Sequence, residues 1–258
     1  YEEALKRDPG DARVNTALGT LYLKRGKFAE AEQLFRKAVA RLARNYTSPK
    51  DGEPYYYLGV ALKSQGRSDE AYDAFYKATW SAAWTPASYF SLAEIASSRE
   101  DYRAALGFLD RSLAMNAWNT RAMNLKATVL RKLGRGEEAR KLLDEVAAFD
   151  PLDVRVLAER SLSATDAKAA HALRAALAAH PAAGLETAIE YGNAGLYEDA
   201  MEVLREMQAA SPDRSRVSPM VYYLLGWYAG RLGAADKAAG YYELAAKASP
   251  DYLSLIHI

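Results

Sequence analysis

The sequence predicts an all-α protein built from repeated pairs of antiparallel helices, and three observations carry this prediction. First, apolar residues recur at an offset of 34 positions, so that Leu58 aligns with Leu92. Second, a small residue is followed four positions later by a bulky apolar one, as Ala71 is by Phe75. Third, a glycine such as Gly66 precedes that small residue by five positions. A fixed period of this length with helical spacing is typical of α-solenoids.

These anchor residues recur in register, and each has a mechanical reason. A glycine takes the left-handed conformation that ends the first helix of a pair. Small residues let two helices approach closely, and bulky residues on one face fill the space between them. The glycines are Gly26, Gly66, Gly134, Gly195 and Gly233; the small residues are Ala31, Ala71, Ala105, Ala139, Ala200 and Ala238; the bulky residues are Phe35, Phe75, Leu109, Leu143, Leu204 and Tyr242.

The register divides residues 1–252 into repeat units. The predicted units are a partial one over 1–11, then 12–51, 52–85, 86–119, 120–153, 154–180, 181–218 and 219–252. The unit 154–180 is degenerate, because it is short and Arg160 stands where leucine is expected. We expect short helices and a local bend or weak joint there. Since one repeat cannot bury its apolar face alone, we expect a single continuous solenoid rather than two globular domains.

The pattern resembles the tetratricopeptide repeat over nearly all of residues 1–252. The resemblance implies a right-handed superhelix of helix-turn-helix repeats. It also implies a non-enzymatic scaffold that binds a protein or peptide segment in a concave groove lined by the first helix of each unit. At the positions that line the groove in this family, the sequence has Tyr56, Phe90, Glu94, Arg121, Asn124, Thr128, Arg131, Lys132, Tyr223 and Trp227.

Two features of this residue set suggest a ligand. The stretch 120–135 has five basic residues and no acidic one, and its polar groove residues fall near one helix face. Such a face could clamp a carboxylate or an acidic peptide, or it could simply be a solvated basic face. The aromatic groove residues could anchor an apolar side chain or stack on a sugar, or they could pack between repeats. Trp80, Trp84 and Trp118 lie outside the predicted groove, where they either pack within the array or dock another domain.

Little in the sequence indicates a catalytic or metal-binding site. The histidines are His171, His180 and His257, and their spacing is not that of helical metal ligands. We therefore expect no catalytic residues, metal or cofactor. Lys and Arg number 34 against 33 Asp and Glu, so nucleic acid is not an expected partner. No apolar run is long enough for a membrane span, and the absence of cysteine leaves the compartment undetermined, with the cytoplasm slightly favoured.

A narrower resemblance gives an alternative function. The stretches "PYYYLGVALKSQGRSDEAYDAFYKATWSAAW" and "SLAEIASSREDYRAAL" are similar to the C-terminal repeat region of large bacterial proteins. The N-terminal half of those proteins is a domain of unknown function with a carbohydrate-enzyme-like β fold. This resemblance implies an accessory or docking module of a carbohydrate-active protein. The partner would then be an upstream domain of the same polypeptide.

Both ends of the sequence suggest a metagenomic fragment. The first residues, "YEEALKRDP", read as the end of a helix already under way, which indicates a truncated N-terminus. The last six, "LSLIHI" at 253–258, match the conceptual translation of a sequencing-library transposase adapter. We interpret them as a read-through artefact, with a genuine apolar tail as the alternative.

Overall fold

A computed structural model describes residues 1–44, 51–163, 167–211 and 217–249. Within these ranges the chain forms fifteen α-helices and no strand, so the predicted all-α class is confirmed. The helices are α1 (Glu2–Arg7), α2 (Ala12–Lys24), α3 (Phe28–Ala43), α4 (Glu53–Ser64), α5 (Ser68–Ala78), α6 (Thr85–Ser98), α7 (Tyr102–Met115), α8 (Thr120–Lys132), α9 (Gly136–Phe149), α10 (Val154–Ser163), α11 (Ala167–Ala179), α12 (Pro181–Asn193), α13 (Tyr197–Ala210), α14 (Pro219–Arg231) and α15 (Ala235–Ala248).

Helices that are consecutive in the chain pack as pairs. The pairs α2 with α3, α4 with α5, α12 with α13 and α14 with α15 make extensive contacts. The first helix of the following pair then packs on the second helix of the preceding one, as α4 does on α3 and α14 does on α13. This stacking of helix pairs is the packing of an α-solenoid, which confirms the predicted fold class.

Six of the turns inside helix pairs depend on a left-handed residue, which the glycine pattern predicted for five of them; the turn between α10 and α11 lies outside the described residues. Gly26 has a φ of 72°, and four further glycines of the repeat have φ values between 74° and 78°. At the first of these turns the Gly26 N–H donates to the Leu23 carbonyl and the Lys27 N–H donates to the Tyr22 carbonyl, both at 2.9 Å. This hydrogen-bond pattern caps the end of a helix and requires a positive φ, which glycine adopts at little cost. In the unit 86–119, Glu100 takes the same position with a φ of 60°.

The close packing of small against bulky residues that was predicted within helix pairs is present in the pairs α2–α3 and α4–α5. A Cβ added at Gly59 would lie 2.7 Å from the Phe75 ring, and one added at Gly19 would lie 2.7 Å from the Phe35 ring. Phe35 and Phe75 are themselves buried. Glycine on the first helix therefore makes the space that the aromatic ring of the second helix fills.

The chain divides into two compact modules, each described here by itself. The N-terminal module comprises residues 1–96 and 103–122, and the C-terminal module comprises 97–102 and 123–258. The core of the N-terminal module contains Phe35, Leu62, Phe75 and Leu92, all buried. The single continuous solenoid over 1–252 and its unit boundaries stay predictions. The proposed artefact at 253–258 lies outside the described residues.

The degenerate unit of the C-terminal module begins with a short helix. α10 has 10 residues, whereas α8 and α12 have 13 each. Arg160, which stands at an expected leucine position, lies near the surface and donates to Asp144 at 2.7 Å. None of the helices in the described part of the chain has the length and apolarity to cross a bilayer.

Candidate functional site

The ten predicted groove residues are divided between the two modules. Four belong to the N-terminal module: Tyr56, Phe90, Glu94 and Arg121. The other six belong to the C-terminal module: Asn124, Thr128, Arg131, Lys132, Tyr223 and Trp227. Each module therefore presents its own candidate face, and the role of these residues in ligand binding stays a prediction.

Tyr56 of the N-terminal module is part of an aromatic cluster. Its ring centroid lies 4.9 Å from that of Trp84 and 5.5 Å from that of Phe75. Burial raises the pKa of the Tyr56 hydroxyl, and a hydrogen bond with Ser91 opposes this rise. The ring thus contributes to packing between helices, and Trp84 packs within the array. Trp80 and Trp118 are 48% and 68% exposed, respectively.

The charged residues of this face are paired with neighbours in the same module. Lys63 Nζ lies 2.7 Å from Glu94 Oε2, and the Glu94 side chain is largely buried. The guanidinium of Arg121 lies 5.4 Å from the centroid of the Phe90 ring, a cation–π contact. The face therefore combines a neutralised ion pair with aromatic rings that are half-buried.

The polar face of α8 in the C-terminal module is turned into the protein. Asn124 and Thr128 are buried, and the side chains of Arg131 and Lys132 are 17% and 24% exposed. The Asn124 amide donates to Asp153 Oδ2 at 2.7 Å. These four side chains share one helix face, as predicted, and they contact acidic side chains of this module.

Glu159 on α10 is the centre of these contacts, although it is fully buried. Its carboxylate accepts hydrogen bonds from the Thr128 hydroxyl and the Tyr191 hydroxyl, each at 2.5 Å, and from Arg131 Nε at 2.8 Å. A buried carboxylate is tolerated when its oxygens accept several hydrogen bonds and a cation lies close. Glu159 therefore joins α8, α10 and α12 through one side chain.

Arg155 is a second buried charge in the same place. Its guanidinium lies 3.5 Å from the centroid of the Tyr191 ring, and Nη2 donates to the Thr128 hydroxyl at 3.0 Å. Nη1 donates to Glu190 at 3.4 Å, and Nε lies 4.0 Å from Glu159. Stacking on an aromatic ring suits the planar and weakly hydrated guanidinium.

Asp199 near the start of α13 neutralises the remaining positive charge of α8. Its Oδ2 lies 2.8 Å from Lys132 Nζ, and its Oδ1 lies 3.3 Å from Arg131 Nη2. Arg131 and Lys132, two of the three cations on the face predicted to clamp a carboxylate, are therefore in contact with carboxylates of the same chain. We name the set of Arg131, Lys132, Arg155, Glu159 and Asp199 the buried ion network.

The ionisation of this network follows from its geometry. Burial raises the pKa of Glu159, but the attraction and hydrogen bonds of Arg131, together with Arg155, outweigh burial and lower the pKa below its ordinary value. Burial raises the pKa of Tyr191 well above its ordinary value, and the adjacent charge of Glu159 raises it further. At neutral pH the carboxylate is ionised and the phenol is neutral, which is the state that these hydrogen bonds require.

The aromatic groove residues of α14 lie nearer the surface. Trp227 is 42% exposed, and its ring centroid lies 5.2 Å from that of Tyr228 and 6.4 Å from that of Tyr197. Tyr223 is half-buried and packs against Tyr242 at 5.8 Å. Trp227 therefore combines an exposed ring surface with firm support from neighbouring rings.

Arg231 lies beside this surface. Its Nε donates to the Tyr197 hydroxyl at 3.1 Å, and its guanidinium lies 5.5 Å from the centroid of the same ring. Tyr223, Trp227 and Arg231 are spaced four residues apart and so form one stripe along α14. The stripe offers two aromatic side chains and one cation to a ligand.

Sequence reasoning did not identify the acidic half of the buried ion network. Nothing in the sequence around Glu159, Asp199 or Arg155 distinguishes these residues from charged residues on a solvated helix surface. One signal was available: the stretch 120–135 carries five basic residues without an acid, so its compensating charge had to come from elsewhere in the chain. Among the described residues, no group of three or more His, Asp or Glu side chains is arranged to hold a metal ion.

Family comparisons agree with the geometry of the helix pairs. Tetratricopeptide repeat models match residues 1–79, 96–160 and 221–252. The chain belongs to the tetratricopeptide repeat (TPR) family. A PPR repeat model matches residues 190–211 of this TPR protein. The relation to large bacterial proteins with an upstream β domain stays a prediction.

Solved structures of other proteins share this fold. A tetratricopeptide repeat protein from Parabacteroides merdae aligns with a TM-score of 0.57 at 15% identity, over 95% of this chain and 96% of its own. Yeast Tom70 aligns with a TM-score of 0.58 at 16% identity, over 96% of this chain and 53% of its own. The APC/C hetero-tetramer Cut9–Hcn1 aligns with a TM-score of 0.53 at 16% identity, over 97% of this chain and 42% of the matched chain. At these identities the likeness concerns the fold.

Proposed function

We propose that this TPR protein is a non-enzymatic scaffold that binds an extended segment of a partner protein along the first helices of its repeats. The observation that carries the proposal is Trp227, a 42% exposed ring at a position that lines the groove in this family. Tryptophan is one of the residues that are enriched at the energetic hot spots of protein interfaces. The segment is held mainly by its apolar side chains.

The state of the charged residues supports apolar anchoring over a basic clamp. Arg131 and Lys132 are both in contact with carboxylates of their own module. A ligand carboxylate at these cations has to compete with those contacts, so it gains less than it would from solvated cations. Arg231, which contacts the Tyr197 ring beside Trp227, is a cation that can orient a bound segment.

A peptide selection followed by hydrogen exchange tests the proposal. Twelve-residue peptides are selected on the full chain from a random displayed library, and the bound complex is compared with the free chain by hydrogen–deuterium exchange. We expect selected peptides to be rich in apolar residues and to slow amide exchange in α14 or in the first helices of the N-terminal module. Protection confined to the second helices α3, α5, α13 and α15 would contradict the proposal.

A further inference from the structure

The second helix of the degenerate unit, α11, is held in the C-terminal module by few side chains. Eight of its thirteen residues are alanine, so the helix forms readily but has little apolar area to bury. Among its described side chains, Leu173 and Leu177 are the buried ones. The second helices α3, α5, α7, α9 and α13 bury between three and six side chains each. Of the helix pairs from α2–α3 to α12–α13, the degenerate one therefore has the second helix with the smallest buried face.

An apolar contact and an ion pair attach α11 to α12 and α13. Leu177 meets Met207 of α13 over Gly184 of α12, where an added Cβ would lie 2.6 Å from Leu177 Cδ2 and 2.9 Å from the Met207 sulfur. At the edge of this contact, the guanidinium of Arg174 donates to both carboxylate oxygens of Glu206 on α13, with Nη2 3.1 Å from Oε1. The Arg174 side chain is half-exposed, whereas that of Glu206 is 13% exposed. α11 thus lies on its neighbours as an amphipathic helix, with leucine inside and arginine at the edge.

The C-terminal end of α11 lies beside a cavity. The cavity has a volume of about 340 Å³ and is lined by four helices, which contribute Leu177, Leu185, Met207 and Val221 to its walls. Protein interiors contain few voids larger than a water molecule, and atoms beside a void lose the attraction of the neighbours that they lack. Leu177 therefore lacks part of the packing that would hold the end of α11 in place.

The surface beneath α11 indicates which ligand fits it. An element with few buried side chains opens locally while the rest of the protein stays folded. Opening of α11 uncovers Met207 together with the carboxylate of Glu206 at its edge. The pattern of α11 itself shows what this surface accommodates: Leu173 and Leu177, four residues apart, lie on one helix face, and Arg174 reaches the carboxylate.

We infer that α11 is a displaceable cover over a second binding surface on α12 and α13, and that this surface takes an amphipathic helix of a partner protein with the pattern Leu-Arg-x-x-Leu. The partner helix occupies the place of α11, so its apparent affinity is reduced by the fraction of molecules in which α11 is closed. The surface is formed by Gly184, Glu206 and Met207. None of the predicted groove residues belongs to it, so the inference goes beyond the proposed function.

Native-state hydrogen exchange of the full chain tests whether α11 opens by itself. After correction for the intrinsic rate of each residue, we expect the amides of α11 to exchange at least about 100-fold faster than those of α13. The opening should depend little on urea, because a local opening exposes little surface. Exchange of α11 and α13 at the same rate and with the same urea dependence would overturn the inference, since α11 would then open only when the module unfolds.

Arg174→Glu tests the attachment of α11 without changing a buried side chain. The substitution replaces the ion pair with Glu206 by a repulsion between two carboxylates, so we expect amide exchange in α11 to accelerate at least about ten-fold while α13 is unchanged. In Arg174→Glu/Glu206→Arg the pair returns with reversed charges, and the exchange rate should return with it. Arg140→Glu is the matched control, because Arg140 is an exposed arginine that pairs with Glu137 of its own helix, and it should leave α11 unchanged. Unchanged exchange of α11 in Arg174→Glu would contradict the assigned attachment.

A peptide with the sequence of α11 tests the surface itself. A fluorescein-labelled peptide of residues 167–180 is titrated into the original chain, Arg174→Glu and Arg140→Glu, beside a control peptide that carries Arg174→Glu. We expect the peptide to bind the Arg174→Glu chain at least about ten-fold more tightly than the other two chains, because the helix in cis then competes less. The control peptide should bind more weakly, because it meets Glu206 with a like charge. Equal affinities for the three chains, or no binding to any of them, would overturn the inference.

The two proposals are tested independently. If the α11 peptide fails to bind while selected peptides protect first helices, the second surface is wrong and the scaffold remains. If the α11 peptide binds Arg174→Glu tightly while no selected peptide protects a first helix, the second surface exists and the groove proposal is wrong. Circular dichroism reports whether each variant keeps its helices, and hydrogen exchange of the original chain tests the opening even where a variant does not fold.

Discussion

Glu159 is a buried side chain whose charge is balanced by its hydrogen-bond donors. Thr128, Tyr191 and Arg131 donate to its two oxygens, and Arg155 lies close by. In such a site the attraction between charges is strong, but so is the cost of leaving one charge without its partner. The stability of the α8–α10–α12 junction therefore depends on the charge at this one position.

Glu159→Gln tests that dependence. The amide keeps the shape of the side chain but leaves Arg131 and Arg155 without their shared carboxylate, so we expect the free energy of unfolding to fall by roughly 3–5 kcal/mol. The matched change Glu186→Gln, at an exposed position of α12, should alter it by less than about 0.5 kcal/mol. Urea unfolding followed by circular dichroism measures both. Equal free energies of unfolding for Glu159→Gln and the original chain would show that the charge of Glu159 contributes nothing to stability.

The same carboxylate gives the protein a defined response to acid. The pKa of Glu159 is lowered in the folded state from its ordinary value of 4.5, so its contribution is complete above pH 4.5. It is lost as the pH falls through the lowered pKa, because the unfolded chain then binds the proton more readily. We expect the stability difference between the original chain and Glu159→Gln to be constant from pH 7 to 5 and to shrink below pH 4.5. A difference that grows with acidification would contradict the assigned charge state.

Glu100 allows the effect of backbone conformation on stability to be tested by itself. At a φ of 60° a side chain costs about 1–2 kcal/mol that glycine does not pay, so Glu100→Gly should raise the free energy of unfolding by about 1 kcal/mol. The reverse change Gly66→Glu, at a φ of 78° in the equivalent turn, should lower it by a similar amount. Urea unfolding of both variants measures whether the free energy of unfolding rises or falls. A fall in Glu100→Gly would show that the contacts of the Glu100 side chain contribute more to stability than its backbone strain costs.

At the scale of the helix pair, one glycine decides how closely two helices approach. Gly59 on α4 faces the buried ring of Phe75 on α5, whereas Gly107 on α7 faces open space. The same substitution therefore has opposite consequences at the two positions.

Gly59→Ala should lower the free energy of unfolding by about 1–3 kcal/mol, because the new methyl group meets the Phe75 ring and the pair has to separate. Gly107→Ala should raise it by about 0.5–1 kcal/mol, because alanine restricts the unfolded chain and favours the helix. Thermal and urea unfolding of the two variants give the comparison. Destabilisation by both substitutions would mean that loss of glycine, rather than the contact with Phe75, is responsible.

The elements that the sequence predicted are those whose cause is local. The left-handed glycines recur in five of the predicted units, and the packing of Gly59 on Phe75 repeats that of Gly19 on Phe35, so the period indicates where they lie. The contacts of α10 were not predictable in this way, because Glu159 finds its partners about thirty residues away on α8 and α12. The sequence pattern around a charged residue is the same whether its side chain points to solvent or into a junction between helices. Only the stacking of the helices determines which of the two occurs.

At the scale of the whole molecule, charge is balanced internally. The 34 basic and 33 acidic residues include ion pairs between neighbouring repeats, such as Lys63 with Glu94 and Arg131 with Glu159. Ion pairs of this kind determine how neighbouring repeats pack on each other more than they attract a ligand. Among the predicted groove positions, Trp227 has the most exposed aromatic ring and is the clearest apolar feature for a partner.

The most direct measurement is therefore a calorimetric titration of the tightest selected peptide into the original chain, Trp227→Ala and Trp118→Ala. Trp118 is the matched control, since it is an exposed tryptophan outside the predicted groove positions. The proposed scaffold predicts that Trp227→Ala weakens binding by at least about ten-fold, as loss of an aromatic anchor does, while Trp118→Ala leaves it unchanged. Full affinity in Trp227→Ala, or a loss confined to Trp118→Ala, would contradict it and place the binding surface elsewhere on the chain.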